Sequence, residues 1–241
     1  MLEGPATGAR LTQHLNLQEG GDSSMDIGSS FTYMFEDENW IKKIVIGGIV
    51  AIIPIVNFAA FGYLIQVIRN IRDGHPTPLP EWDQFGAYFM DGLWIFLIIL
   101  VYLIPVILLS CIQGVGTAAL ANNQSQDAQS AVGIVSACFS CLIGLWSLVV
   151  AVLIPAVMIR YAEVGEFMAG FRFGEIFSVI TANIGSYVIV LLLMWVASFI
   201  GQLGIILCVI GVIFTSFWSY LVGGNLLGQL AAQIRQNQPS V

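Results

Sequence analysis

The sequence predicts an all-α membrane protein of about six membrane segments, arranged as three helical hairpins linked by amphipathic surface helices. Three observations lead there. Of 241 residues, 57% are hydrophobic and 10% charged, against about 25% charged in an ordinary soluble domain; mean hydropathy is +0.86. Asp, Glu, Lys and Arg are absent from four stretches, 44–68, 92–126, 128–159 and 176–234, each at least as long as the roughly 20 apolar residues a spanning helix needs. Finally, one pattern of aromatic, apolar and Ile-Arg segments recurs three times along the chain. Unbroken apolar runs without period-two alternation indicate helices and not barrel strands.

Residues 1–30 read as a polar, Gly- and Ser-rich tail. Stretch 1–24 lacks the apolar core of a signal peptide. It is either native or a leader before a start at Met25. Most of the net charge of −7 sits in residues 1–40, which hold Arg10 against seven acidic residues. A single membrane domain is expected over 31–236.

Run 44–68 admits two readings, one span or a short hairpin turning at Pro54-Ile55-Val56-Asn57, since proline removes a backbone donor and kinks a helix. Run 92–126 predicts a span near 93–112, and run 128–159 another near 132–159, with a polar loop over 121–129. Run 176–234 is too long for one pass. Its break at Gly201-Gln202-Leu203-Gly204 predicts helices near 187–200 and 205–231.

Two patterns favour the hairpin at 44–68. The internal repeat gives units 31–72, 85–163 and 173–236. Tyr33-Met34-Phe35-Glu36-Asp37 resembles Tyr88-Phe89-Met90-Asp91, Phe85-Gly86 resembles Phe173-Gly174, and the units close on Ile68-Arg69, Ile159-Arg160 and Ile234-Arg235. Second, a hairpin puts Lys42, Lys43, Arg69, Arg72, Arg160, Arg172 and Arg235 on one side, which the positive-inside rule makes cytoplasmic, with both termini. A single span would move Lys42 and Lys43 across. Each arm holds about 12 residues, short enough for a re-entrant hairpin.

The linker Gly74-His75-Pro76-Thr77-Pro78-Leu79-Pro80-Glu81-Trp82-Asp83 is the most distinctive segment. Its prolines fix an extended path. Glu81 and Asp83 fall in the expected first turn of a surface helix over 82–91, where negative charge suits exposed N–H groups. Trp82 is expected at the headgroup level. The plain reading is a stiff connector. The functional one is a docking surface made of Trp40, Pro78, Pro80, Glu81, Trp82 and Asp83.

Asp37-Glu38-Asn39-Trp40-Ile41-Lys42-Lys43, Ile53-Pro54-Ile55, Gly62-Tyr63-Leu64 with Arg69, and Pro78-Leu79-Pro80-Glu81-Trp82-Asp83 with Phe85-Gly86 together resemble one known group. It is the bacterial and archaeal integral-membrane family catalogued as domain of unknown function forty-thirteen. Phe171-Arg172-Phe173-Gly174 and Tyr187 also fit, so the resemblance covers about 31–235. It implies a multi-pass membrane protein and carries over no catalytic residue.

Cysteines stand at Cys111, Cys138, Cys141 and Cys208. Cys138 and Cys141 have the spacing of a redox pair, and hairpin geometry would set Cys111 at the depth of Cys138. Reactive thiols need a polar setting, whereas these lie among apolar residues, where small side chains pack well between helices. His14 and His75 both lie outside the spans, and no zinc-protease helix or phosphate-binding loop occurs. Coupled transport through buried charges, axial-His cofactors and metallo-hydrolysis are thereby disfavoured, and no basic block exists to grip nucleic acid. Polar residues such as Asn57, Gln66, Gln113, Ser136, Ser140, Ser216 and Asn225, with Gly224 and Gly228, suit helix–helix packing.

The expectation is a non-enzymatic organising component of a cell-membrane assembly, without catalytic, cofactor or metal residues. Its partners are the lipid bilayer and proteins of a membrane complex or a second copy. The alternative is a passive or lipid-handling transporter, followed by a thiol-redox enzyme using Cys138 and Cys141.

Overall fold

A computed structural model describes residues 25–120, 125–204 and 208–237. Among them every regular element is helical: α1 (Ile27–Thr32), α2 (Trp40–Ile52), α3 (Phe58–Arg72), α4 (Phe85–Leu120), α5 (Gln126–Val164), α6 (Phe173–Ala182), α7 (Ile184–Leu203) and α8 (Cys208–Asn237). Short 3-10 turns occupy Tyr33–Glu36, Trp82–Gln84 and Phe167–Phe171. Three helical stretches, Trp82–Ala119, Gln129–Val164 and Ile184–Leu203, are long and apolar enough to cross a membrane.

Run 44–68 is two helices. Ile53 is extended before Pro54, as the proline ring demands of its predecessor, and Ile55 carries a φ of 74°. The Asn57 amide bonds the Ile53 carbonyl at 2.9 Å, closing the turn from which α3 starts. α3 stops where Asp73 N–H returns to Arg69 and Gly74, at φ 72°, to Ile71. Gly165, at φ 73°, ends α5 in the same way. Glycine serves both exits because a β-carbon resists that left-handed geometry.

α3 is the hub. It packs against α2, α4, α5 and α8, while α4 pairs with α5 and α7 with α8. Its Tyr63, Ile65, Val67 and Ile68 are fully buried. Backbone approaches α3 on two sides. A β-carbon on Gly62 would stand inside the Tyr88 carbonyl of α4, and one on Gly228 of α8 would lie 3.0 Å from the Ile68 carbonyl. Gly224 fits over Leu64 and Val67 by the same absence of bulk. The pair Gly224 and Gly228 is thus a small-residue seam between α8 and α3.

Several boundaries differ from expectation. No separate surface helix spans 82–91; after the turn at Trp82–Gln84, residues from Phe85 open α4 directly, because the apolar face of 85–91 continues without a stop signal. Helicity runs past 93–112 and 132–159 for the same reason. Gly201 and Gln202 lie within α7, which ends at Leu203. Gly201 meets α8 side by side, its carbonyl accepting from the Thr215 hydroxyl at 2.6 Å. The expected tail gives way early: Asp26 caps α1 through Ser29 N–H at 2.9 Å, and buried Ser30 donates to Asn225 at 2.8 Å. Stretch 1–24, residues 121–124 of the expected polar loop and residues 205–207 at the start of the expected last helix lie outside the described residues.

α4 and α5 each contain a proline, Pro105 and Pro155. An aromatic side chain attends each interruption. Trp146 Nε1 donates to the Tyr102 carbonyl at 3.0 Å. Tyr187 Oη donates to the Val152 carbonyl at 2.6 Å and accepts from the Ala156 amide at 3.1 Å, so a buried hydroxyl supports the ladder where proline weakens it.

Candidate functional site

The proline linker is held down by its own carbonyls. An extended stretch with prolines at 78 and 80 forms no ladder, so its acceptors must find side chains. They find four. Asn70 donates to Pro78 O at 3.0 Å, Lys43 to Leu79 O at 3.0 Å, Tyr63 to Pro80 O at 2.9 Å and Tyr88 to Glu81 O at 2.8 Å. Four successive carbonyls thus bind donors from α2, α3 and α4. Leu79 is buried between them.

Trp82 completes this clasp. Its ring stacks on Tyr63 with centroids 4.3 Å apart and planes at 14°. Its N–H donates to the Lys43 carbonyl at 3.1 Å. The side chain read as a headgroup anchor therefore packs inward. Its single contact set also shows α2 and α3 folded back on each other: Lys43 and Tyr63 would stand about 30 Å apart in one straight helix. Trp40 packs edge-on against Phe35 at 4.9 Å.

Beside the clasp lies a hollow of about 650 Å³, walled by Glu36, Asp37, Glu38, Lys43, Glu81 and Asp83 together with His75, Asn39 and Gln66. Lys43, only 4% exposed, binds Asp37 at 2.7 Å and Glu81 at 2.8 Å. A buried ammonium needs such pairing. Glu36, Glu38 and Asp83 remain exposed on the wall, giving the hollow an excess of negative charge. Of the sequence-predicted docking residues, Pro80, Glu81 and Asp83 line it. Pro78, Trp82 and Trp40 do not line it: Pro78 is bound by Asn70, Trp82 lies on Tyr63, and Trp40 packs on Phe35.

A second polar cluster escaped sequence reasoning. Arg69 binds Asp91 at 2.6 Å and the Ala162 carbonyl at 3.1 Å, Arg72 shares that carbonyl at 3.1 Å, and Tyr161 donates to the other Asp91 oxygen at 2.9 Å. The repeat held the signal. Each Ile-Arg arginine reaches a carboxylate of another segment: Arg69 to Asp91, Arg160 to Glu175, and Arg235 to Asp73 at 3.0 Å. Arg72 foremost, then Arg235, holds the Asp73 carboxyl below the usual carboxylate range. These arginines fasten helix ends.

Cys111, Cys138 and Cys141 are free thiols on exposed positions, while Cys208 lies outside the residues whose side chains are described. Nearby, Gln113 ties α4 to α5 by donating to Ser136 O at 3.2 Å and Ser140 Oγ at 3.1 Å. Among the described residues, no three His, Cys, Asp or Glu side chains converge as metal ligands do.

The model of a family described as protein of unknown function, DUF4013, matches residues 46–210. The chain belongs to this family. The match runs from within α2 into α8, so it takes in the hub helix, the linker with its donors Tyr63, Asn70 and Tyr88, and the Arg69–Asp91 cluster of this DUF4013 chain. Glu36, Asp37, Glu38 and Lys43 fall just before it. No curated protein and no solved structure matches the chain.

Proposed function

We propose that this DUF4013 protein is a multi-pass cell-membrane protein that organises a membrane assembly, gripping a basic segment of a partner in its acidic hollow. The observation that carries this reading is the hollow's wall, where five carboxylates face one lysine and one histidine. Lys43 neutralises part of the charge and leaves the rest exposed to a cationic side chain. Opposite charge across an interface speeds encounter and fixes register.

In this reading α2–α3, α4–α5 and α7–α8 are three membrane hairpins. The arginines and lysines share the cytoplasmic side with both termini, and the hollow opens there. α2, with 13 residues, reaches only about 20 Å, so its hairpin is re-entrant and covered by α8 and α4.

A fluorescent Lys-rich peptide, titrated onto the full chain in lipid nanodiscs, tests the docking. The expected result is binding that weakens at least about tenfold in the triple variant E36Q/E38Q/D83N and also weakens with salt, whose screening acts within about 10 Å at 0.1 M. Equal binding by variant and wild type overturns it. Sidedness is read separately. In a Cys-free background, single cysteines at Thr77 and Asn123 should label from opposite faces with an impermeant reagent, Asn123 alone from outside.

A further inference from the structure

Histidine is the side chain that ordinarily changes charge between about pH 5 and pH 8. The sequence has two, His14 and His75, and His75 stands in the wall of the acidic hollow. Its backbone is fixed while its side chain is exposed. The His75 amide donates to the Asn70 carbonyl at 2.9 Å, at the end of α3, and the Asn70 side chain in turn holds the Pro78 carbonyl at 3.0 Å. Pro76 follows His75, and a proline restricts the residue before it to extended backbone. A held stretch of chain therefore keeps the imidazole at the hollow, where water and protons reach it.

We infer that His75 regulates the hollow by pH, loosening its grip on a basic segment as the medium turns mildly acidic. The inference rests on the hollow being a site for such a segment, as proposed above. The groups that share the wall decide the sign. The segment before α2 brings Glu36, Asp37 and Glu38, α2 brings Lys43, and the linker brings Glu81 and Asp83. α3 adds the uncharged Gln66 and Asn70, and α4 adds Tyr88. Asp73, two residues before His75, is already bound by Arg72 and Arg235. Five carboxylates against one ammonium leave four negative charges unbalanced while the imidazole is neutral. Protonation cancels one of them. Carboxylates ordinarily titrate near pH 4 and tyrosine and lysine near pH 10, so the imidazole carries the change in between. An arriving cation then meets a less negative hollow that holds a like charge.

The test titrates a fluorescent oligolysine peptide onto the full chain in phosphatidylcholine nanodiscs at fixed low salt, at about pH 7.5 and about pH 5.5. Neither the peptide nor the lipid headgroup changes charge between the two. Wild type should bind about threefold more weakly at the lower pH, the factor that Coulomb's law gives for two unit charges about 7 Å apart at the dielectric of water. H75Q should bind equally at both. H75K, charged at both, should match acidified wild type throughout. A wild type indifferent to pH, or a pH dependence that survives in H75Q and so belongs to His14 or the carboxylates, overturns the role of His75 and leaves the hollow a cation site. If E36Q/E38Q/D83N binds as tightly as wild type at the higher pH, the peptide does not sit in the hollow, and docking and regulation fall together.

Discussion

A β-carbon on Gly92 would stand 2.8 Å from the backbone nitrogen of Gly62 and inside the carbonyl of Phe58. The two glycines face each other where α3 crosses α4, and neither helix has a flexible side chain there that could yield.

G62A and G92A should therefore each force the helices apart, costing about 3 kcal/mol or more, the upper end of overpacking penalties. G86A and G174A place a methyl group in open space and should leave stability within about 0.5 kcal/mol of wild type. Reversible unfolding in mixed detergent micelles measures all four. A G92A protein as stable as G86A would contradict the crossing.

Asp91 uses both carboxylate oxygens, one for Arg69 and one for Tyr161. D91N should cost about 1–3 kcal/mol, since Arg69 loses a charged partner in a site only about a fifth exposed. Y161F should cost less, about 1 kcal/mol. The double variant should lose less than the two together, because both remove one network. Strict additivity would separate Tyr161 from the ion pair.

Tyr187 should matter only because Pro155 is there. Y187F leaves Val152 and Ala156 without the bridging hydroxyl, and the Ala156 amide should exchange with solvent faster than in wild type. P155A restores a continuous ladder, so Y187F should be nearly silent in that background. Unchanged exchange at Ala156 in Y187F would refute the bridge.

Asp73 supplies a pH signature. Its carboxyl is held below the ordinary 3.8 by Arg72 first and Arg235 next, so the folded chain binds that proton less readily than the unfolded one. Its contribution is complete above the unfolded value and fades as pH falls through the lower folded one. The stability gap between wild type and D73N should thus shrink between about pH 5 and pH 3. A gap that widened on acidification would reverse the sign and exclude this account.

Much of the helical framework was legible in the sequence, for particular reasons. Charge-free runs announced the long helices, and Pro54 with Asn57 announced the break between α2 and α3. Trp82 was not legible. Its amphipathic ring signals a need for one polar and one apolar neighbour, and nothing local says that these are the Lys43 carbonyl, 39 residues back, and the Tyr63 ring. Glu36 and Glu38 looked like part of a diffuse acidic N-terminal region until the fold set them beside Glu81 and Asp83. Asp91 stood alone at the edge of an apolar run. Only the spacing of the Ile-Arg repeats hinted that an arginine would come to it.

The four linker carbonyls bear on the order in which the chain assembles. Their donors come from Lys43, Asn70, Tyr63 and Tyr88, so no two of α2, α3 and α4 can complete the set. An α2–α3 hairpin emerging alone carries Tyr63 and Asn70 with their acceptors still unmade, and it is too short to settle across a bilayer by itself. It waits for α4. Lys43, Asn70 and Tyr63 reach the Leu79, Pro78 and Pro80 carbonyls from within the first 80 residues, and Tyr88 closes the set on Glu81 as α4 comes onto the pair, so a chain interrupted before Tyr88 lacks both the fourth bond and the α4 contact.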